Sequence, residues 1–92
     1  MFKHFNIAIF GRVQGVFFRR TVRHEANRLG IFGFIRNDPD GSVYIEAEGL
    51  EEKLTEFIMW IKAGAGEGMH SVGQVDVVSG SFKALEGFEI RE

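Results

Sequence analysis

The chain has 92 residues, no cysteine and a formal net charge of −2. That is enough for one domain with one core, and it excludes a disulfide frame, a thiol nucleophile and a thiolate metal site. The charge is uneven, residues 1–46 summing to +3 and residues 47–92 to −5; a local positive cluster suits a small anion and argues against a nucleic-acid footprint.

Phe5, Ile7 and Ile9 alternate with His4, Asn6 and Ala8, the pattern of a strand with one buried face. The stretch from Met1 to Phe10 has no small-residue cleavage site and runs straight into a glycine loop, so neither a secretory leader nor a membrane span is expected and the location expected is cytoplasmic.

Gly11-Arg12-Val13-Gln14-Gly15-Val16-Phe17-Phe18-Arg19 joins that strand to a helical pattern. Glycines at such a bend let successive backbone N–H groups turn toward one point, and the following helix adds its positive dipole end, so this is where an anion binds. Arg19, Arg20 and Arg23 crowd the first helical turns, and no Ser, Thr, Asp or Asn stands just before Arg19. Cations there oppose the helix dipole, each by about 0.3–1 kcal/mol, which is easiest to explain if an outside anion completes the site.

Phe18, Val22, Ala26 and Leu29 fall on one helical stripe that stops at Gly30. Ile31 to Asn37 is β-rich and ends at Asp38-Pro39-Asp40-Gly41, a proline-led turn, after which Val43, Ile45 and Ala47 alternate with Tyr44, Glu46 and Glu48 to complete a hairpin. A second helix is expected from Leu50 to Ala63, with Leu54, Phe57, Ile58 and Ile61 inward and Glu51 and Glu52 favourably in its first turn. Gly64-Ala65-Gly66-Glu67-Gly68 follows a helix instead of leading into one, so it reads as a flexible connection and not a phosphate loop. Val72 to Val78 is a further strand, and Phe88 and Ile90 mark a short last one.

The order is βαββαβ with an extra short C-terminal strand. It predicts one α+β domain over residues 1–92, a two-layer ferredoxin-like sandwich of an antiparallel sheet with two helices on one face. That fold serves many functions and settles none.

Other constellations carry less. His4, His24 and His70 lie on a strand, a helix and a loop without ligand spacing, so no metal site is expected. Ser71, Ser79 and Ser81 have no nucleophile-elbow context. Glu46 and Glu48 project from the outer face of their strand, where carboxylates are ordinarily solvated and lack the cleft that paired acid–base catalysis needs. Phe32-Gly33-Phe34-Ile35 partly matches the aromatic strand by which RNA-binding domains of this fold stack bases, which leaves a non-catalytic binding module, for RNA or a small anion, as the rival reading.

Ile9-Phe10-Gly11-Arg12-Val13-Gln14-Gly15-Val16-Phe17-Phe18-Arg19 resembles the first signature of the acylphosphatases, and Gly33-Phe34-Ile35-Arg36-Asn37, then Gly41-Ser42-Val43 and Gly49, resembles their second. The chain is similar to that family in length and element order from end to end. The resemblance implies hydrolysis of acyl phosphates to a carboxylate and inorganic phosphate, with no metal or organic cofactor. It implies a phosphate cradle of backbone N–H groups from Gln14, Gly15, Val16, Phe17 and Phe18, with Arg19 holding the phosphate oxygens and Asn37 the attacking water. The partner expected is a small acyl phosphate, with inorganic phosphate or sulfate able to occupy the same place; no nucleic acid or membrane partner is expected, and the chain is expected to be a monomer.

These roles suit the residue types. A phosphoryl transition state spreads charge over its equatorial oxygens, and arginine's planar fork meets it in a bidentate way that lysine cannot copy. Asn37 can accept a proton from water in a hydrogen bond but cannot act as a base. Asp38 and Asp40 beside it would repel phosphate unless turned outward, and Arg20 and Arg36 read as rim charges aiding substrate approach or, equally, as plain surface charge.

Overall fold

The alternation of Phe5, Ile7 and Ile9 is carried by strand β1 (Phe2–Arg12) in the computed structural model, which describes residues 1–15 and 17–92. Helix α1 (Phe18–Arg28), strands β2 (Phe32–Asn37) and β3 (Val43–Leu50), helix α2 (Glu51–Lys62) and strands β4 (Ser71–Ser79) and β5 (Phe88–Arg91) follow in the expected order. The sheet order is β4-β1-β3-β2-β5.

Both helices pack on one face. Phe18, Val22 and Ala26 of α1 and Leu54, Phe57 and Ile61 of α2 are buried against Ile7, Ile9, Ile35, Val43 and Ile45. The α+β sandwich of the ferredoxin-like kind is therefore present. Among the first four strands every pairing is antiparallel, whereas β5 runs parallel to β2 and makes the sheet mixed. The reason is geometric: β4 and β5 lie at opposite edges, and the segment between them crosses the face opposite the helices, its Gly80 N–H donating to the His4 carbonyl at 2.9 Å. Having crossed at the end where β1 begins, the chain can only return up the sheet alongside β2.

That crossing segment corrects two expectations. Glu46 and Glu48 are not solvated: their residues are 7% and 1% exposed. Oε2 of Glu48 meets His4 Nδ1 at 2.7 Å and accepts from the Lys83 N–H, and its Oε1 accepts from the Leu85 N–H at 2.8 Å. Glu46 accepts from Lys83 Nζ at 2.8 Å and from the Tyr44 hydroxyl at 2.9 Å, and His4 Nε2 lies 3.2 Å from its Oε1. Burial opposes ionisation of both carboxyls, but these donors prevail and hold both below the ordinary value. Burial, reinforced by the bond to Glu46, pushes the Tyr44 hydroxyl up to about 12, so it stays a donor at neutral pH. His4 is thus part of a buried network and not an isolated histidine.

The connection after α2 is likewise tied down: His70 Nε2 donates to the Gly64 and Ala65 carbonyls at 3.0 Å each, and its ring packs edge-on against Phe18 with centroids 4.9 Å apart.

Candidate active site

The loop between β1 and α1 stands at the end of the sheet where β1, β2 and β5 finish. β1 enters it through a bulge against β4 at Phe10 and Gly11, a device that bends a strand out of its ladder. Gly15 then takes φ 73° and Phe17 takes φ 61°. A left-handed phenylalanine costs about 1–2 kcal/mol, and it turns the Phe17 ring outward to 74% exposure.

α1 therefore begins at Phe18 on a residue whose side chain caps nothing, and its first turn has no acidic residue. The first N–H groups of a helix have no intrahelical partner, so the start of α1 carries the positive dipole end with no capping side chain of its own. Just beside it is a pocket of about 260 Å³. The buried Val13 and Phe18 and the half-buried Ile90 make its apolar part, and Gly15, Phe17, Arg19 and Arg20 make the rest.

Arg19 is the second residue of α1 and is half-buried. Its Nη1 donates to the carbonyl oxygen of Arg91 at 3.1 Å, so the guanidinium is braced against the end of β5, and its other N–H groups have no further hydrogen-bond partner among the described residues. Among the described residues Arg19 and Arg20 form no ion pair. The wall is cationic without an internal counter-charge.

The side chain of Gln14 has a role of its own, separate from the backbone N–H expected to face phosphate. Its side-chain Nε2 donates to the carbonyls of Asp38 and Ser42 at 2.8 Å each, so the side chain faces the β2–β3 turn and only its backbone is left for a ligand. Gly15, Phe17, Phe18 and Arg19 come together around the pocket; Val16 lies outside the described residues.

Asn37 ends β2, next to the turn that Gln14 clamps. Its Oδ1 is buried and has no hydrogen-bond partner among the described residues. A buried acceptor left unpaired costs about 1–3 kcal/mol, which marks it as a group kept for a donor from outside. The two flanking carboxylates are engaged elsewhere. Asp38 Oδ1 accepts from Arg36 Nε at 2.9 Å, and Asp40 Oδ1 accepts from the Ser42 hydroxyl and, at 2.9 Å, from the Ser42 N–H, which in that order keep the Asp40 carboxyl below its ordinary value. Arg36 is held by Asp38, lies 4.5 Å from the centre of the Tyr44 ring and is not part of the pocket lining.

The aromatic strand is not an open stacking platform. Phe34 is 5% exposed, with the Arg91 guanidinium 3.9 Å from its ring centre, which leaves Phe32, 39% exposed, alone on that strand.

A family model described as Acylphosphatase matches residues 5–90. An acylphosphatase of Ligilactobacillus salivarius is 41% identical to the chain over 88 residues, covering 96% of this chain and 97% of that protein. One of a Nocardioides species is 40% identical over 86 residues, covering 94% and 85%. Among solved structures, a crystal structure of acylphosphatase from Bacillus subtilis is similar over 100% of both chains with a TM-score of 0.89 and 34% identity.

Proposed function

The chain belongs to the acylphosphatase family, and from that premise we propose that it hydrolyses the carboxyl–phosphate bond of small acyl phosphates, with the N–H groups of residues 14–18 and Arg19 as phosphate receptor and Asn37 as holder of the water. The observation that carries this reading is the uncapped start of α1 opening on a pocket walled by Arg19.

Water attacks phosphorus, the bond from phosphorus to the carboxyl oxygen breaks, and the acyl group leaves as a carboxylate. The water's proton passes to a phosphate oxygen of the substrate, so no side chain has to serve as a base. Asn37 Oδ1 accepts a hydrogen bond from the water and fixes its approach. Arg19 and the backbone donors are preorganised where charge spreads over the equatorial oxygens, which is the largest contribution a protein can make to a loose phosphoryl transition state. The good leaving group makes this sufficient. Inorganic phosphate and sulfate, with the same tetrahedral shape, occupy the same receptor, and the enzyme works as a monomer in the cytoplasm.

Hydrolysis of benzoyl phosphate, followed by loss of its absorbance with and without inorganic phosphate, tests this. Turnover with competitive inhibition by phosphate is expected. No turnover would overturn the proposal, and a salt-sensitive affinity for RNA in its place would favour the binding-module reading.

A further inference from the structure

Beside the phosphate pocket lies a second one, an open groove of about 400 Å³ lined by Phe17, Arg20, Thr21, His24, Glu25 and Trp60. The two pockets share Phe17 and Arg20, so these residues form the sill over which anything held in the first leads into the second. Inward, the first pocket is closed by Val13 and Phe18, each 1% exposed.

The sill is built from a strained backbone and a stacked cation. The left-handed turn at Phe17 lays its ring outward, and the Arg20 guanidinium carbon sits 5.5 Å from the ring centre, within the range of a cation–π contact that holds the fork over the rim. Glu25 is the one acidic side chain lining the groove, and it is fully engaged, accepting from Arg28 Nε at 3.0 Å and Nη2 at 2.7 Å. Arg20, by contrast, has no carboxylate partner among the described residues. The groove therefore offers an aromatic surface to methylene groups and an unpaired planar cation to an anion.

We propose that this groove is the subsite for the acyl moiety and that Arg20 makes it selective for acyl phosphates whose acyl group ends in a second anionic group, such as the monoacyl phosphate of a short dicarboxylic acid. The inference rests on the acylphosphatase reading and adds the substrate class to it. With phosphorus in the first pocket, a chain of a few carbons passes over Phe17 and brings its terminal carboxylate to the guanidinium, where a bidentate pair forms.

The test compares kcat/KM for succinyl phosphate and butyryl phosphate, which share a four-carbon chain and differ in the terminal carboxylate. Expected is a preference for the succinyl compound of about three- to fivefold at low salt, the range an exposed ion pair supplies, expressed mainly in KM. Arg20→Gln abolishes the preference, Arg20→Lys keeps part of it, and Arg23→Gln, the same charge loss on the same helix but away from both pockets, leaves the ratio as it is. Equal kcat/KM for the two substrates, or an Arg20→Gln effect that is the same on both, would overturn the subsite while leaving the acylphosphatase reading intact. Failure to hydrolyse either substrate would instead count against that reading.

Discussion

Gln14 and Asp38 are joined across 24 residues of chain by a 2.8 Å hydrogen bond from the side-chain amide of one to the backbone carbonyl of the other, and the same amide nitrogen reaches Ser42. This bridge fixes the loop meant for phosphate relative to the strand end that carries Asn37. In the proposed mechanism it therefore sets the distance between the receptor and the water, which is the quantity positioning catalysis depends on.

Replacing Gln14 by alanine removes both bonds and is expected to cost about 1–3 kcal/mol of stability, together with a fall in kcat larger than any rise in KM. Gln14→Glu is expected to be worse at neutral pH, because a carboxylate would face two carbonyl oxygens, and to recover toward pH 4. Urea midpoints and benzoyl phosphate kinetics at both pH values check this.

Arg19→Ala and Arg19→Lys are both expected to lower kcat/KM by about a hundredfold or more, the loss typical of one preorganised donor to a developing charge. An ammonium cannot both donate to the Arg91 carbonyl and present a planar pair of N–H groups to phosphate. Near-normal turnover by the lysine variant would refute the bidentate role.

Asn37→Ala separates function from stability. Its Oδ1 is a buried acceptor without a protein donor among the described residues, so its removal is expected to leave stability unchanged or raise it by about 1 kcal/mol. Turnover should fall by about a hundredfold or more while phosphate still inhibits with its original affinity. Parallel loss of stability or of phosphate affinity would show a different role.

Acid stability should report on Glu46 and Glu48. Their folded-state pKa values lie below the ordinary 4.5 of an unfolded chain, so their contribution is complete above pH 4.5 and drains away as pH falls through the lower folded values. Wild-type urea midpoints are expected to decline below that point. Glu48→Ala, which strips His4 and two backbone N–H groups of their acceptor, should cost about 3–5 kcal/mol at neutral pH and show a flatter acid limb.

The elements were legible because each has a local signature: alternation in β1, a 3.6-residue stripe in α1 and Asp38 to Gly41 in the turn. The loop proposed for phosphate was singled out by arginines where a cap belongs, and Asn37 only through the second motif. What could not be read were the relationships that depend on coverage. Alternation says that Glu46 and Glu48 leave the helix side, but not that residues 80–87, which have no periodicity, will cross that face and bury them. The same crossing explains why β5 comes to lie parallel to β2. The side chain of Gln14 was missed because nothing local says that a loop amide will find the carbonyls of a turn far along the chain.

The place of β1 between β4 and β3 also governs how the molecule assembles. Ile7 must align with Ile45 on one side and Val77 on the other, so neither of these two pairings can zip up from neighbours in sequence. Only the β2–β3 hairpin closes over a short loop, which makes it the natural nucleus. With distant pairings still to be recruited, refolding is expected to be slower than the microsecond regime of small helical bundles.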